Sequence, residues 1–203
     1  MKKLQLLIVL SLLSSFCFAQ EKWDLKKNEN GIAVYTRKLT TGKFKEIRVI
    51  CEFNGTMAQL TKVLQNVNHH KDWVYNTKIS YLIKRKSKDT LFYYSEVSLP
   101  WPMANRDLAI RLTFEKDSLN KTLKVQARST DNILPDKPGL VRVPYSLGLW
   151  NIITLPNNHI KIDYTFSVNP GGALPVWLVN SMATAGPYNT FKNLKGLIER
   201  KSL

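Results

Sequence analysis

The sequence predicts an α+β domain in which an antiparallel sheet packs against one long C-terminal helix. Several segments alternate apolar and polar residues with the period of a half-buried strand. The last part of the chain instead carries an apolar stripe at helical spacings of three and four. A proline- and glycine-rich hinge, residues 169–180 (NPGGALPVWLVN), separates the last alternating segment from that stripe. Strands of this kind form a sheet with one solvated face and one apolar face.

The start of the chain has the pattern of a secretory signal peptide. Two lysines precede the largely apolar residues 4–16, and Cys17 and Ala19 are the two small residues that a signal peptidase reads. We expect residues 1–19 to be cleaved off, which leaves residues 20–203 as one domain of a secreted or periplasmic protein. Acylation of Cys17 is the alternative, which the large residue before it disfavours.

Eight alternating or apolar segments predict strands. They are residues 32–39, 45–53, 79–85, 91–99, 107–114, 123–128, 141–155 and 160–168. A turn at residues 28–31 precedes the first of them. Pro144 and Gly148 interrupt the seventh, which implies an edge position or a bulge. Cys51 alternates within the second, where we expect a small buried hydrophobic residue.

A short helix is predicted after the second strand. Thr56 and Gln59 have the spacing of a capping box, and apolar residues follow at helical spacing. His69 and His70 are expected near the end of this helix, where polar groups are favoured. Adjacent helical residues point about 100° apart, so the two rings cannot bind one metal side by side. Trp73 is expected to fold the following turn back onto the core.

The long C-terminal helix is predicted to start near Pro175 and to run to about Lys201. Pro187 should kink it, because proline removes one helical hydrogen bond. The upper part of its apolar stripe is narrow, and small residues let a helix lie close over a sheet or a ligand. The stripe consists of Val176, Val179, Ala183, Gly186, Thr190, Leu194 and Leu197.

Composition and motifs favour binding over catalysis. The formal net charge is +15, of which the leader contributes two lysines, and this favours anionic partners. The basic residues are scattered, and the one compact cluster, residues 84–86 (KRK), fits a solvated turn or a docking patch. The sequence has no Gly-x-Ser-x-Gly motif, phosphate-binding glycine loop or His-x-x-x-His motif. We therefore expect no metal site and no cofactor.

Two segments resemble motifs of START domains, the lipid-transfer domains related to the steroidogenic acute regulatory protein. Residues 100–107 (PWPMANRD) resemble the loop of that family that precedes a strand and carries an Arg-Asp pair. Tyr164 and residues 169–180 resemble its closing motif, and the resemblance covers about residues 23–198. It implies a helix-grip fold, in which a curved antiparallel sheet wraps around a long C-terminal helix and encloses an apolar cavity for one lipid.

The resemblance also implies where the ligand lies. By analogy, the C-terminal helix and residues 100–105 gate the cavity, although each large residue there fits an ordinary core equally well. Strand phase turns Tyr93 and Tyr164 towards the interior. The residues expected to line or gate the cavity are Tyr93, Trp101, Met103, Arg106, Tyr164, Trp177, Val179, Met182 and Ala183.

Arg106 leaves two interpretations open. It shares the phase of the inward residues of its strand, whereas the adjacent Asp107 points to the other face. A buried arginine needs an anion or several acceptors, so it either meets a polar ligand group or an internal carboxylate such as Glu96, or it binds backbone carbonyls. Arg111, the next arginine on this strand, is expected on the solvated face.

These patterns predict a lipid-binding or lipid-transfer protein. Its expected partners are a hydrophobic small molecule or lipid and, transiently, an anionic membrane surface. We expect a monomer that binds no nucleic acid, since no nucleic-acid motif accompanies the charge. The alternative is a helix-grip enzyme of the polyketide cyclase or aromatase type, in which an inward tyrosine, arginine or carboxylate assists catalysis.

Overall fold

The computed structural model describes residues 22–39 and 43–200. The predicted signal peptide, residues 1–19, lies outside the described residues. The strands are β1 (Asp24–Glu29), β2 (Ile32–Lys38), β3 (Lys45–Asn54), β4 (Thr77–Ser87), β5 (Thr90–Val97), β6 (Asn105–Asp117), β7 (Thr122–Ser129), β8 (Leu140–Arg142), β9 (Tyr145–Leu155) and β10 (His159–Asn169). The helices are α1 (Met57–Gln65), a 3-10 helix (Val67–Asp72) and α2 (Val176–Arg200).

One curved sheet contains all of these strands. Its order is β1-β2-β3-β10-β9-β7-β6-β5-β4, and the neighbours along this path are antiparallel. The short strand β8 pairs in parallel with the start of β6. The sheet is not closed into a barrel, and α2 packs against β2 and β3 within its curve. The predicted helix-grip architecture is therefore confirmed.

Alternation along the strands produces the apolar interior. In β3, Val49, Cys51 and Phe53 are buried, whereas Arg48 and Glu52 point outwards. Cys51 is thus the small buried residue that the pattern predicts, and burial raises the pKa of its thiol. The outer face carries charged side chains, which fits a sheet with one solvated face.

The two halves of α2 have different environments. Its C-terminal half is anchored in the core by Phe191, Leu194 and Ile198, which are fully buried. Gly55 permits this close approach, because a Cβ atom there would lie 2.4 Å from Ile198 Cγ2. The N-terminal half begins at Val176, which is half exposed, and it covers a cavity rather than packed side chains. Among the described residues, no helix is long and apolar enough to cross a membrane.

The predicted apolar stripe of α2 is only partly right. Ala183 and Leu194 are buried as expected, but Tyr188, Phe191 and Ile198 carry most of the remaining burial. The helix starts at Val176, one residue after the predicted start. The stripe shifts because α2 packs on β2 and β3 with its C-terminal half and faces a cavity with its N-terminal half.

The predicted strand at residues 141–155 is divided in two. It becomes β8 and β9, which are separated at Val143 and Pro144. Gly148 lies inside β9 in unbroken register with both neighbouring strands, so the predicted edge position or bulge at this glycine is wrong. Its role is steric, because a Cβ atom there would lie 3.1 Å from Tyr164 Oη.

The capping box that predicts α1 is confirmed. The Thr56 N–H donates to Gln59 Oε1 at 2.7 Å, and the Gln59 N–H donates to Thr56 Oγ1 at 3.2 Å. The expectation that His69 and His70 end this helix is wrong, because α1 stops at Gln65 and both histidines lie in the 3-10 helix. Trp73 directly follows that helix and is buried, as expected.

The basic cluster at residues 84–86 lies in a strand and not in a turn. It occupies the exposed end of β4, which is one edge of the sheet. Charged side chains on an edge strand discourage pairing with the strands of other chains. This explains the position of the basic cluster without a docking partner.

Candidate functional site

A cavity of about 360 Å³ lies between the inner face of the sheet and the N-terminal half of α2. The inward side chains of β5, β6, β9 and β10 form its wall, together with the turn after the 3-10 helix and the segment around Met103. Its apolar lining includes Leu64, Val97, Leu108, Ile110, Leu112, Phe166 and Val168. The interior of this fold is therefore only partly filled by side chains.

Three aromatic rings that line the cavity pack together. The ring centroids of Trp150 and Tyr164 are 4.6 Å apart, and Phe191 of α2 lies 5.1 Å from Trp150 and 5.2 Å from Tyr164. Tilted contacts at these distances are favourable for aromatic pairs. Gly148 leaves the space that the Tyr164 ring occupies. Burial raises the pKa values of Tyr93 and Tyr164, so both phenols are neutral in the cavity.

Seven of the nine predicted site residues lie on the cavity wall. They are Tyr93, Met103, Arg106, Tyr164, Val179, Met182 and Ala183. The other two, Trp101 and Trp177, do not line it: their side chains are 92 % and 71 % exposed. Trp101 is at the tip of a turn in which the Met103 N–H donates to the Pro100 carbonyl. Trp177 is in the first turn of α2, and its neighbours Leu178 and Val179 take the inward positions.

Arg106 faces the cavity but binds backbone carbonyls. Its Nε donates to Pro170 O at 3.3 Å, its Nη2 to Gly171 O at 3.1 Å, and its Nη1 to Ala104 O. The side chain is buried, and desolvation lowers the pKa of its guanidinium. The structure therefore agrees with the interpretation that Arg106 binds backbone carbonyls. These contacts connect the start of β6 to the segment before α2.

The prediction that the Glu96 carboxylate is a partner of Arg106 is wrong. Glu96 lies on the opposite face of the sheet, where its Oε1 accepts from Asn105 Nδ2 at 2.9 Å and lies 3.2 Å from Lys78 Nζ. Strand phase explains this, because Tyr93, Ser95 and Val97 are the inward residues of β5. Arg111 is exposed, as predicted.

The sequence analysis missed a polar group of residues on the cavity wall. His70, Trp73, Thr77 and Ser95 line the cavity beside Tyr93. His70 donates through Nε2 to the Leu64 carbonyl at 3.0 Å, and burial lowers its pKa to about 4. Ser95 could have been found from its phase with Tyr93. The position of His70 could not, because it depends on where α1 ends.

Hydrogen bonds hold α2 over the cavity at three places. Asn180 Oδ1 accepts from the Lys45 N–H at 3.2 Å, and Thr190 Oγ1 accepts from the Tyr75 N–H at 3.1 Å. Asn193 Nδ2 donates to the Trp73 carbonyl at 3.2 Å. These contacts connect the helix to β3 and to the turn before β4, and they lie on either side of the cavity.

The chemical character of the cavity is apolar with few charges. Among the described residues, Lys45 and Arg106 are the charged side chains on its wall. No group of three or more His, Cys, Asp or Glu side chains in residues 22–39 and 43–200 could hold a metal ion. The arrangement can enclose an apolar molecule and offer it a small number of hydrogen bonds.

A curved antiparallel sheet closed by a long C-terminal helix over such a cavity defines a helix-grip domain. The chain belongs to the START domain family, whose model matches residues 6–200. It is 28 % identical to an uncharacterised protein of Pseudomonas aeruginosa over 89 % of both chains. It is 27 % identical to the phosphatidylcholine transfer protein of Mus musculus, and the match covers 85 % of this chain and 81 % of that protein.

Solved structures share the fold. A STAR-related lipid transfer protein from Xanthomonas axonopodis superposes with a TM-score of 0.81 at 28 % identity, covering 87 % of this chain and 98 % of that one. Human StAR-related lipid transfer protein 5 superposes with a TM-score of 0.80 at 16 % identity, covering 100 % of this chain and 98 % of that one. A Streptomyces aromatase/cyclase has a TM-score of 0.51 at 13 % identity, covering 77 % of this chain and 92 % of that one, which shows a common fold alone.

Proposed function

We propose that this protein binds one hydrophobic small molecule or lipid in the cavity under α2 and carries it without chemical change. The enclosed apolar cavity is the observation that carries the proposal. Burial of apolar ligand surface would drive binding, at about 25 cal/mol per Å² before ordering costs. Relatives whose names describe lipid transfer support the same assignment.

The size of the cavity favours a compact or single-chain ligand. At about 360 Å³ it is near the lower end of the range for small-molecule sites, roughly 300–1,000 Å³. A two-chain phospholipid would need α2 to move outwards or the interior to repack. We therefore expect a sterol-like molecule or a single acyl chain to bind better than a phospholipid.

Ligand entry is proposed to occur at a membrane surface. Trp101 and Trp177 are exposed, and each lies within two residues of a side chain that lines the cavity, Met103 or Leu178. Amphipathic rings of this kind favour the interface between water and lipid. Met103, on the same turn as Trp101, lines the cavity and adapts easily to different contacts. The positive charge of the chain would concentrate it at anionic membranes.

Three ionisable side chains of the cavity favour a binding function over the cyclase or aromatase alternative, because they are uncharged. The pKa values of Tyr93 and Tyr164 are raised by burial, and that of His70 is lowered to about 4. All three side chains are therefore neutral at pH 7, and the imidazole already donates to a carbonyl. A pH-dependent turnover of an aromatic or polyketide substrate would contradict this part of the proposal.

The function is tested by extracting the ligand from protein purified from its own cells and by filling the cavity. Native mass spectrometry should detect a stoichiometric lipid on the wild type. Ala183→Phe places a ring in the cavity, so ligand should be lost, whereas Ala185→Phe on the exposed side of α2 should retain it. A bare wild-type protein that also takes up no fluorescent fatty acid, sterol or phospholipid would contradict the proposal.

Secretion is proposed from the leader pattern alone. Cleavage after Ala19 would give a mature chain that begins at Gln20. Intact mass measurement of the protein from a periplasmic or culture-medium fraction tests this directly. A full-length chain in the cytoplasm, or a mass increased by an acyl group on Cys17, would contradict it.

A further inference from the structure

Two buried polar atoms on the cavity wall have no hydrogen-bond partner within the described residues. They are Trp73 Nε1 and Thr77 Oγ1. Both side chains line the cavity and are at least nine-tenths buried. Buried polar groups in folded proteins are nearly always paired with protein or water, so two orphans on one wall need an explanation.

Both residues belong to the polar part of one cavity wall. Trp73 follows the 3-10 helix, and its ring lies edge-on to His70 with centroids 5.1 Å apart. His70 also contacts the Tyr93 ring, with the ring centroids 5.1 Å apart. Thr77 begins β4 opposite Val97 of β5, whose inward neighbours are Ser95 and Tyr93. We call this group, Trp73 and Thr77 with His70, Tyr93 and Ser95, the polar subsite.

The cluster is held in place by bonds that do not use the two free atoms. The Trp73 carbonyl accepts from Asn193 of α2, and the Thr77 N–H donates to the Val74 carbonyl at 3.1 Å. His70 is fixed by its bond to the Leu64 carbonyl. The indole N–H and the threonine hydroxyl are therefore positioned before any ligand arrives.

The donor and acceptor types define what would fit. An indole N–H can only donate, whereas a hydroxyl both donates and accepts, so a ligand oxygen can accept a hydrogen bond from either residue and a ligand hydroxyl can also donate to Thr77. No member of the subsite carries a charge that would balance an anion. We propose that the polar subsite binds the hydroxyl or carbonyl oxygen of an otherwise apolar ligand, whose hydrocarbon body fills the rest of the cavity.

This inference rests on the proposed function and specifies the ligand class. The competing location for a polar ligand group is Arg106, which lies opposite Val97 in the same row as Thr77. Two strand spacings separate them, about 10 Å. Arg106 already donates to three carbonyls. A ligand held by its guanidinium would carry a carboxylate, so the experiment includes a carboxylate ligand as a separate arm.

The experiment measures how well unlabelled compounds displace radiolabelled hexadecan-1-ol from the delipidated protein. Methyl-β-cyclodextrin serves as the carrier for each compound. The competitors are hexadecan-1-ol, 1-chlorohexadecane, which is a poor hydrogen-bond acceptor, and hexadecanoate. We expect the alcohol to bind roughly 3- to 10-fold more tightly than the chloride, about what one net neutral hydrogen bond contributes. Thr77→Val and Trp73→Phe should each remove most of this preference, measured as the ratio of the affinities for alcohol and chloride in the same variant.

Two controls separate the subsite from general packing. Thr77→Ser keeps the hydroxyl and should keep the preference for the alcohol. Thr36→Val removes a buried threonine hydroxyl that does not line the cavity, and it should change neither affinity. Thr77→Val should also leave the melting temperature of the empty protein unchanged or higher, because it removes an unpaired buried hydroxyl.

Each remaining outcome contradicts the inference in a different way. Equal affinities for alcohol and chloride, unaltered by Thr77→Val, would mean that water alone satisfies the two atoms, while the proposed function stands. Preference for hexadecanoate that Arg106→Leu removes would assign the polar end of the ligand to Arg106. Failure of the wild type to bind all three compounds would overturn the proposed function together with the subsite.

Discussion

His70 links the interior of the cavity to the pH dependence of stability. Its buried ring contacts Trp73 and Tyr93, and desolvation lowers its pKa from 6.5 to about 4. The unfolded chain therefore takes up a proton in a pH range where the folded chain does not. The contribution of His70 is complete above pH 6.5 and is lost as the pH falls towards 4.

The first prediction is a pH effect that depends on this ring. Between pH 7.5 and pH 5 the wild type should lose about 2 kcal/mol of unfolding free energy through His70, to order of magnitude. Urea titrations at both pH values should show that His70→Phe is less stable at pH 7.5 but lacks this part of the loss. His69→Gln, which changes an exposed ring, should retain it. An identical loss in His70→Phe would contradict the assignment.

Single residues also show what strand phase can predict. Phase placed Arg106, Tyr93 and Tyr164 on the inner face correctly, because successive residues of a strand alternate between faces. It did not identify the partners of Arg106, since these are carbonyls of the distant hinge at Pro170 and Gly171. Contacts of this kind depend on how the chain returns, which one segment of sequence does not specify.

At the scale of elements, an ion pair attaches β8 to the sheet. Arg142 of β8 donates through Nε to Asp107 Oδ1 at 2.8 Å and through Nη2 to Asp107 Oδ2 at 3.1 Å. Asp107 is almost completely buried, and the bond raises the pKa of Arg142. The Val143 N–H also donates to the Asp107 carbonyl. The side chain and the backbone of Asp107 therefore both hold the segment between β7 and β9.

The second prediction compares this pair with a similar pair in a more exposed place. Asp107→Asn removes the buried charge partner of Arg142, which keeps the exposed Asp136 at 3.5 Å, and should lower the unfolding free energy by about 3 kcal/mol. Asp163→Asn breaks the bidentate pair of Arg48 and Asp163, whose side chains are each 32 % exposed, and should cost at most about 1 kcal/mol. Thermal or urea unfolding measures both. Equal losses would show that burial does not decide the strength of these pairs.

Elements were predicted well where local rules act and poorly where packing decides. The capping box at Thr56 and the start of α2 follow from a few neighbouring residues, and both are confirmed. Strand β1 was not predicted, because its burial pattern is almost wholly exposed and shows little apolar alternation. The pattern around Gly148 predicts an edge or a bulge, whereas in the structure its small size leaves room for the Tyr164 ring on the neighbouring strand.

At the scale of the whole molecule, α2 is a helix with one anchored end and one covering end. Phe191, Leu194 and Ile198 fix its C-terminal half in the core. The N-terminal half is held to β3 by the bond between Asn180 and the Lys45 backbone. The START resemblance predicted the cavity beneath this half, which composition alone could not, since an alternating sheet can equally be filled by side chains.

The third prediction is that fixing the covering end of α2 traps the ligand. The Lys45 N–H lies 3.2 Å from Asn180 Oδ1, and the pair Lys45→Cys with Asn180→Cys is chosen to replace this hydrogen bond by a disulfide. In the oxidised form, exchange of a pyrene-labelled fatty alcohol with vesicles should fall at least roughly tenfold, because opening then requires local unfolding. The same variant after reduction is the control. Unchanged exchange in the disulfide form would place the entrance elsewhere.

The fourth prediction concerns how the whole charged surface meets a membrane. With a formal net charge of +15 spread over the chain, attraction to an anionic vesicle acts between exposed charges and is screened by salt. The screening length falls from about 10 Å at 0.1 M to about 3 Å at 1 M, so transfer of the labelled alcohol to anionic vesicles should slow several-fold as salt is raised. Transfer to neutral vesicles should change little with salt.

Trp101→Ser and Trp177→Ser should slow both reactions, because insertion of the exposed rings does not depend on lipid charge. Salt-independent transfer to anionic vesicles would mean that α2 opens in solution and that the membrane only receives a ligand already released.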